Sequence, residues 1–181
     1  MITISIADIN KKNQHEHAYK LLRECLAPLS VDFNENYPIC ENKNGKPFLA
    51  DNPNLKFNIS HSDGIAACVV SHRECGIDCE KVGEYHPKAA KRIFSENEIK
   101  MIESAPEDER GLLFFRVWTL KEAYAKALGV GISFPLNTVE FIIKDGKVKT
   151  NIKEYRFKQC VLKNGDYVVS LCEKRKKKEI A

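Results

Sequence analysis

Apolar and polar positions change their period several times along the chain, and each change marks an element. Ile2, Ile4 and Ile6 alternate with Thr3 and Ser5, which predicts a strand. From Gln14 to Leu26 the apolar positions Ala18, Leu21, Leu22, Cys25 and Leu26 recur at helical spacing until Pro28 stops them. Residues 30–54 carry Pro38, Gly45, Pro47 and Pro53 and read as a loop-rich connection, with Gly45-Lys46-Pro47 as a turn presenting one lysine. Three short runs rich in Ile, Val, Phe and Cys follow at 55–60, 66–71 and 76–82. Their tight connections predict an antiparallel meander.

The second half opens with helices. One is expected near 88–94, and another from Ser95, where Glu98 three residues later completes a capping box. A long helix begins at Pro106 with Glu107, Asp108 and Glu109 in its first turn, and Gly129 is placed to cap its end. Within it Leu113, Val117, Leu120, Tyr124 and Ala127 make one apolar stripe, while Trp118, Lys121, Glu122, Ala125 and Lys126 fall on another face. Strands near 138–143, 147–151, 154–162 and 167–172 form a second meander, joined by turns at 144–146 and 163–166. The order predicts an α+β fold of two similar lobes, each a small antiparallel sheet packed with helices. The expected division is 1–83, 84–173 and a basic tail at 174–181.

Composition narrows the class. With 181 residues, 43% hydrophobic and 30% charged, the chain can bury a substantial core. No apolar run approaches the roughly 18 residues of a membrane span, and residues 1–6 lack the pattern of a signal peptide. Seven scattered cysteines without a CxxC pair fit free thiols in a reducing compartment, so a cytoplasmic protein with no zinc site and no membrane association is expected. The net charge of +4 comes from Lys174-Arg-Lys-Lys-Lys178, and the remainder is slightly acidic. Nucleic-acid binding would want a basic stripe on a folded face with a reading motif, and neither is present.

Chemistry concentrates in four stretches. On a strand, Asp78 and Glu80 of Gly76-Ile-Asp-Cys-Glu80 project from one face while Ile77 and Cys79 point into a core. If Glu122 faces this pair, three carboxylates converge, and an oxygen-only set suits Mg²⁺ better than Zn²⁺. Lys46, Lys121 and Lys126 are then partners for a substrate's phosphates. In Asn58-Ile-Ser-His-Ser-Asp-Gly64, the neighbours His61, Ser62 and Asp63 diverge and cannot form a catalytic triad. Ser60 and His61 could instead donate to a phosphate. Each stretch alone also reads as an ordinary solvated face or a capped turn, the Asp78–Glu80 pair less readily than the others.

Taken together and in this order, Gly45-Lys-Pro47, Asn58-Ile-Ser-His-Ser62, Gly76-Ile-Asp-Cys-Glu80 and Trp118-Thr-Leu-Lys-Glu-Ala-Tyr-Ala-Lys126 resemble the 4′-phosphopantetheinyl transferase superfamily, of the type that activates surfactin synthetase. The resemblance spans residues 45–126. It implies a two-lobed pseudo-symmetric fold and Mg²⁺-dependent transfer of the phosphopantetheine arm of coenzyme A to a serine of an acyl or peptidyl carrier protein, releasing adenosine 3′,5′-bisphosphate. By position, Asp78, Glu80 and Glu122 resemble the Mg²⁺ ligands, and Lys46, Ser60, His61 and Lys126 the coenzyme A contacts, with Lys121 beside them. Glu122 and Lys126 are the expected catalytic residues, Glu122 also as a base for the serine.

The chain departs from the pattern in two places. Cys79 stands where an aliphatic residue is common, and larger relatives have an extra basic segment near the first helix, for which Lys11, Lys12 or His15 are the replacements available. Lys88, Lys91 and Arg92 are candidate contacts to an acidic carrier. A monomer is expected, because two lobes supply both sides of a cleft. The competing readings are a coenzyme A or nucleotide binding module without transfer activity, and an Mg²⁺-dependent phosphodiesterase using the same acids.

Overall fold

The structure is a computed structural model and describes residues 1–176 except 7, 8, 11 and 131–133. Asp8, Lys11, Lys177 and Lys178 therefore lie outside the described residues.

The first strand, β1 (Ile2–Ile6), and the first helix, α1 (Gln14–Leu26), form where the periodicity places them. The 30–54 connection holds a short hairpin, β2 (Ile39–Glu41) and β3 (Pro47–Leu49), turned by Gly45 at φ 82°. Strands β4 (Lys56–Ser62) and β5 (Ile65–Ser71) pair as an antiparallel hairpin, and β1 joins the outer side of β5.

The expected meander stops there. Strand β6 (Cys75–Lys81) does not pair with β5 but leaves for a second sheet. Helices α2 (Pro87–Ile93), α3 (Glu96–Glu103) and α4 (Glu107–Leu128) follow, then the hairpin β7 (Phe141–Lys144) and β8 (Lys147–Thr150), and finally β9 (Tyr155–Leu162) and β10 (Tyr167–Lys174). The first sheet is ordered β1-β5-β4 and the second β6-β10-β9. Each sheet takes its first strand, carries one long helix on its face, and then inserts a hairpin whose second strand pairs with the first. The duplication is thus in topology. The second meander is also interrupted, since β7 and β8 form a sheet of their own.

The change of sheet falls at residues 72–74, whereas the sequence boundary at 83/84 leaves β6 in the first lobe. The physical reason is the shortness of that connection: three residues can close a hairpin or hand the chain to a neighbouring sheet, and alternation reads the same in both cases. Likewise Lys174 ends β10 and Arg175 donates to the Tyr155 carbonyl at 3.2 Å, so the expected tail begins inside the fold.

Side chains stitch the two sheets together. Asn58 Oδ1 accepts the Ile77 amide at 2.8 Å and Ser60 Oγ accepts the Cys79 amide at 3.3 Å. Both bonds span 19 residues, so β4 and β6 run parallel with a row of polar side chains in place of backbone bonds. Ser62 Oγ continues the row with a 2.6 Å bond to Glu80 Oε2. Apolar residues from the reverse faces of both sheets, including Ile65, Val69, Ile77, Cys79 and Val169, fuse the halves below this row. Helix α1 covers the first sheet with Leu21, Leu22, Cys25 and Leu26, and α4 covers the second with Leu120, Ala123, Tyr124 and Ala127.

Candidate active site

Helix α4 places most of the site. Pro106 opens it, Glu107, Asp108 and Glu109 in its first turn oppose the positive end of its dipole, and Gly129 closes it at φ 65° with its amide on the Ala125 carbonyl. Gly76 decides how closely it approaches β6: a Cβ there would lie 2.1 Å from the Ala123 carbonyl oxygen and 2.4 Å from the Ala127 amide nitrogen. With hydrogen at that position the helix rests directly on the strand, which brings Glu122 and Lys126 beside Asp78.

Lys126 Nζ donates to Asp78 Oδ1 at 2.6 Å and to Ser60 Oγ at 3.0 Å, and Ser60 Oγ donates to the same carboxylate oxygen at 2.9 Å. Burial alone would lower the pKa of the Lys126 ammonium, but Asp78 outweighs it and holds the pKa above its ordinary value. Asp78 is 4% exposed, and its second oxygen, Oδ2, is buried without a hydrogen-bond partner among the described residues. Such an oxygen is costly unless something polar meets it.

Glu80 shares the strand face with Asp78, as alternation requires, and is held by Ser62. Burial raises the pKa of Glu80 against the opposing bond from Ser62, and the charges of Asp78 and Glu122 add to the rise. Burial also raises Glu122, again with a contribution from Asp78. The three acids therefore feel one another. Among the described residues, however, no three His, Cys, Asp or Glu side chains are gathered as a ready ligand set. The Lys126 ammonium is bound to Asp78, and Glu80 is turned to Ser62. The donor set itself suits a hard cation, being oxygen-only, with Asp78 Oδ2 left without a partner.

Beside these groups a cavity of about 810 Å³ opens, lined by Lys46, Asn58, Arg92, Trp118, Glu122 and Lys126 among others. Trp118 is half-buried and stacks on Phe114, with ring centres 5.9 Å apart. Lys46 is less free than a lone turn lysine: its Nζ donates to the carbonyls of Ala127 at 3.0 Å and Cys75 at 3.1 Å, and to Glu74 at 3.4 Å. Asn44 adds a bond to the Gly129 carbonyl at 2.8 Å, so the β2–β3 turn caps the end of α4 with a cation and an amide. Arg92 lines the cavity, while Lys88 and Lys91 are exposed outside its lining.

Two expected contacts lie elsewhere. Lys121 is fully buried and paired with Glu98 at 2.8 Å, on the side of α4 that faces α3. At about 100° per residue Lys121 lies about 60° to one side of Trp118 and Lys126 about 80° to the other, so the two lysines flank the face, and Lys121 falls on the flank that the packing covers. His61 lies in β4 between Ser60 and Ser62, so alternation turns its side chain away from β6. Burial lowers its pKa, and the charges of Lys126 and His15 add to this. A second cavity, of about 700 Å³, is lined by Asn10, Lys12, Gln14, Ser62 and Asp63, and so contains one of the three basic replacements near α1.

Asn58, which lines the cavity, is not among the site residues expected from the sequence. Its signal was available, because it lies two residues before Ser60 on the same strand face. Phe134 and Leu136, which also line the larger cavity, had no comparable signal.

The cavity thus lies between two topologically duplicated sheets, with buried acids and an ammonium at its edge. The pattern of the 4′-phosphopantetheinyl transferase superfamily matches residues 74–172, from the start of β6 into β10. The chain belongs to that superfamily. It is 36% identical over 141 residues to the 4′-phosphopantetheinyl transferase gsp of Aneurinibacillus migulanus, covering 78% of this chain and 58% of that protein. It is 34% identical to the transferase Sfp of Bacillus subtilis, covering 61% and 50%. The holo-[acyl-carrier-protein] synthase structure of Thermotoga maritima aligns with a TM-score of 0.48 at 25% identity, over 57% of this chain and 64% of that one. The chain spans about half the length of the curated relatives it matches.

Proposed function

We propose that this protein transfers the 4′-phosphopantetheine arm of coenzyme A to a serine of an acyl or peptidyl carrier protein. The observation that carries the reading is the meeting of Lys126, Asp78 and Glu122 at the rim of the 810 Å³ cavity, inside the stretch that matches the superfamily. The serine oxygen attacks the phosphorus that bears the pantetheine arm, the bond to the bridging oxygen breaks, and adenosine 3′,5′-bisphosphate leaves with the electron pair. Glu122, made more basic by burial, takes the serine proton.

Lys126 supplies positive charge to the diphosphate, and Ser60 orients it from β4. Lys46 and Arg92 add charge along the wall of the cavity. Asp78, Glu80 and Glu122 are the residues that would hold Mg²⁺, with the unpartnered Asp78 Oδ2 as the clearest support. When bound, Mg²⁺ neutralises the charge that develops on the leaving diphosphate oxygens. In the same reading the second lobe starts with β6, the enzyme is monomeric because the two lobes supply both walls, and seven free cysteines suit the cytoplasm.

Release of adenosine 3′,5′-bisphosphate from coenzyme A tests this. Release with Mg²⁺ is expected only when an apo carrier protein is present. Equal release without a carrier would contradict it and favour a phosphodiesterase.

A further inference from the structure

Lys121, although it stands in the motif beside Glu122, makes no contact in the cavity. Its ammonium spends all three N–H groups inside the protein: on Glu98 Oε2 at 2.8 Å, the Leu136 carbonyl at 2.7 Å and the Val139 carbonyl at 2.6 Å. Glu98 is used as fully. Its Oε2 also accepts the Ser95 amide at 2.6 Å, and its Oε1 accepts the Phe141 amide at 2.7 Å. Both side chains are completely buried. One ion pair therefore binds four pieces of chain: the start of α3, the middle of α4, the short 3-10 turn Leu136–Thr138 and the start of β7.

Two of these pieces belong to the cavity. Leu136 and Phe134 form one of its walls. Glu122, the next residue after Lys121, faces into the cavity from α4. Without Lys121 the buried Val139 carbonyl and the part-buried Leu136 carbonyl lose its N–H groups, and what then holds this segment to α4 is apolar packing, Phe134 on Tyr124 with ring centres 5.7 Å apart among it, which is non-directional. A buried ion pair adds little net stability compared with apolar residues of the same size. Fixing two walls at one spacing is a different service.

We infer that the Lys121–Glu98 pair is a positioning strut that sets the spacing between Glu122 and the Phe134–Leu136 wall, and so determines how tightly the cavity holds its ligand. The inference rests on the reading of the cavity as the coenzyme A site, and the test separates the two. Lys121→Met leaves Glu98 buried and unpaired, so its melting temperature should fall by roughly 10 °C. The double variant Glu98→Gln/Lys121→Met has no buried charge and should recover about half of that loss. Its KM for coenzyme A should nonetheless stay raised about tenfold, with kcat within about twofold of the parent, because the directional link from α4 to the Leu136 and Val139 carbonyls is still gone.

Hydrogen exchange supplies the readout that does not depend on coenzyme A. Amides of residues 134–141 should exchange faster in the double variant than in the parent, while those of β4 and β6 stay protected. A KM that recovers together with the melting temperature would overturn the inference, as would unchanged exchange at 134–141. If the parent protein neither binds nor uses coenzyme A, the proposed function fails, and the exchange data alone decide the strut.

Discussion

Lys126 Nζ lies 2.6 Å from Asp78 Oδ1, tying the last turns of the long helix to the first strand of the sheet beneath it. The carboxylate holds the ammonium's pKa above its ordinary value of 10.5 despite burial. By linkage this contribution to stability is fully present below pH 10.5 and is lost only as pH rises through the raised pKa. Asp78→Asn should therefore cost about 2–4 kcal/mol at neutral pH. Urea denaturation at pH 7 measures it, and a loss near zero would show that the pair contributes nothing to the fold.

Glu122 has the opposite sign. Burial and Asp78 raise its pKa above the ordinary 4.5, so its ionised form is less comfortable in the folded protein than in the unfolded chain. Its neutral form favours the fold below pH 4.5, and that advantage fades as pH rises through the folded pKa. Glu122→Gln should thus raise the melting temperature at pH 7, lose transfer activity, and show no stability advantage once pH drops below 4.5. Calorimetry at the two pH values checks this. A Gln variant less stable at pH 7 would contradict it.

Gly76→Ala places a methyl group 2.1 Å from a helix backbone oxygen, a contact that rigid elements on both sides cannot absorb. Overpacking of this kind costs about 1–3 kcal/mol or more. The helix must also lift from β6, which separates Lys126 from Asp78. Transfer activity should fall more than the fraction of folded protein does, as measured by activity and circular dichroism on the same sample.

Much of this was legible in the chain. Ser95 and Glu98 form the capping box that their spacing predicts, and Gly129 caps α4. The alternation around Asp78 correctly put Ile77 and Cys79 in the core and the two acids on one face. What escaped were relationships between distant strands. The transfer of β6 to the second sheet depends on β10, almost a hundred residues later, and no local pattern encodes such a partner. The fate of Lys121 depended on Glu98 and on two carbonyls beyond the helix. A buried lysine and a site lysine look alike until the neighbours are known.

The row between the sheets gives a further test. Asn58 Oδ1 is the acceptor for the Ile77 amide, where an ordinary sheet would offer a backbone carbonyl. Asn58→Ala should cost about 1–3 kcal/mol by leaving that amide buried and unpaired. The exchange rate at Ile77 should rise more than at Leu171, its partner in β10. Equal protection in both proteins would mean that the row is not what joins the halves.

Intact mass spectrometry of an apo carrier protein reads transfer itself. After incubation with this protein, coenzyme A and Mg²⁺, the carrier should gain one phosphopantetheine, about 340 Da. The gain should vanish with Glu122→Gln. No gain on any carrier from fatty-acid, polyketide or peptide synthesis, while coenzyme A still stabilises the folded protein, would contradict transfer and leave a binding module.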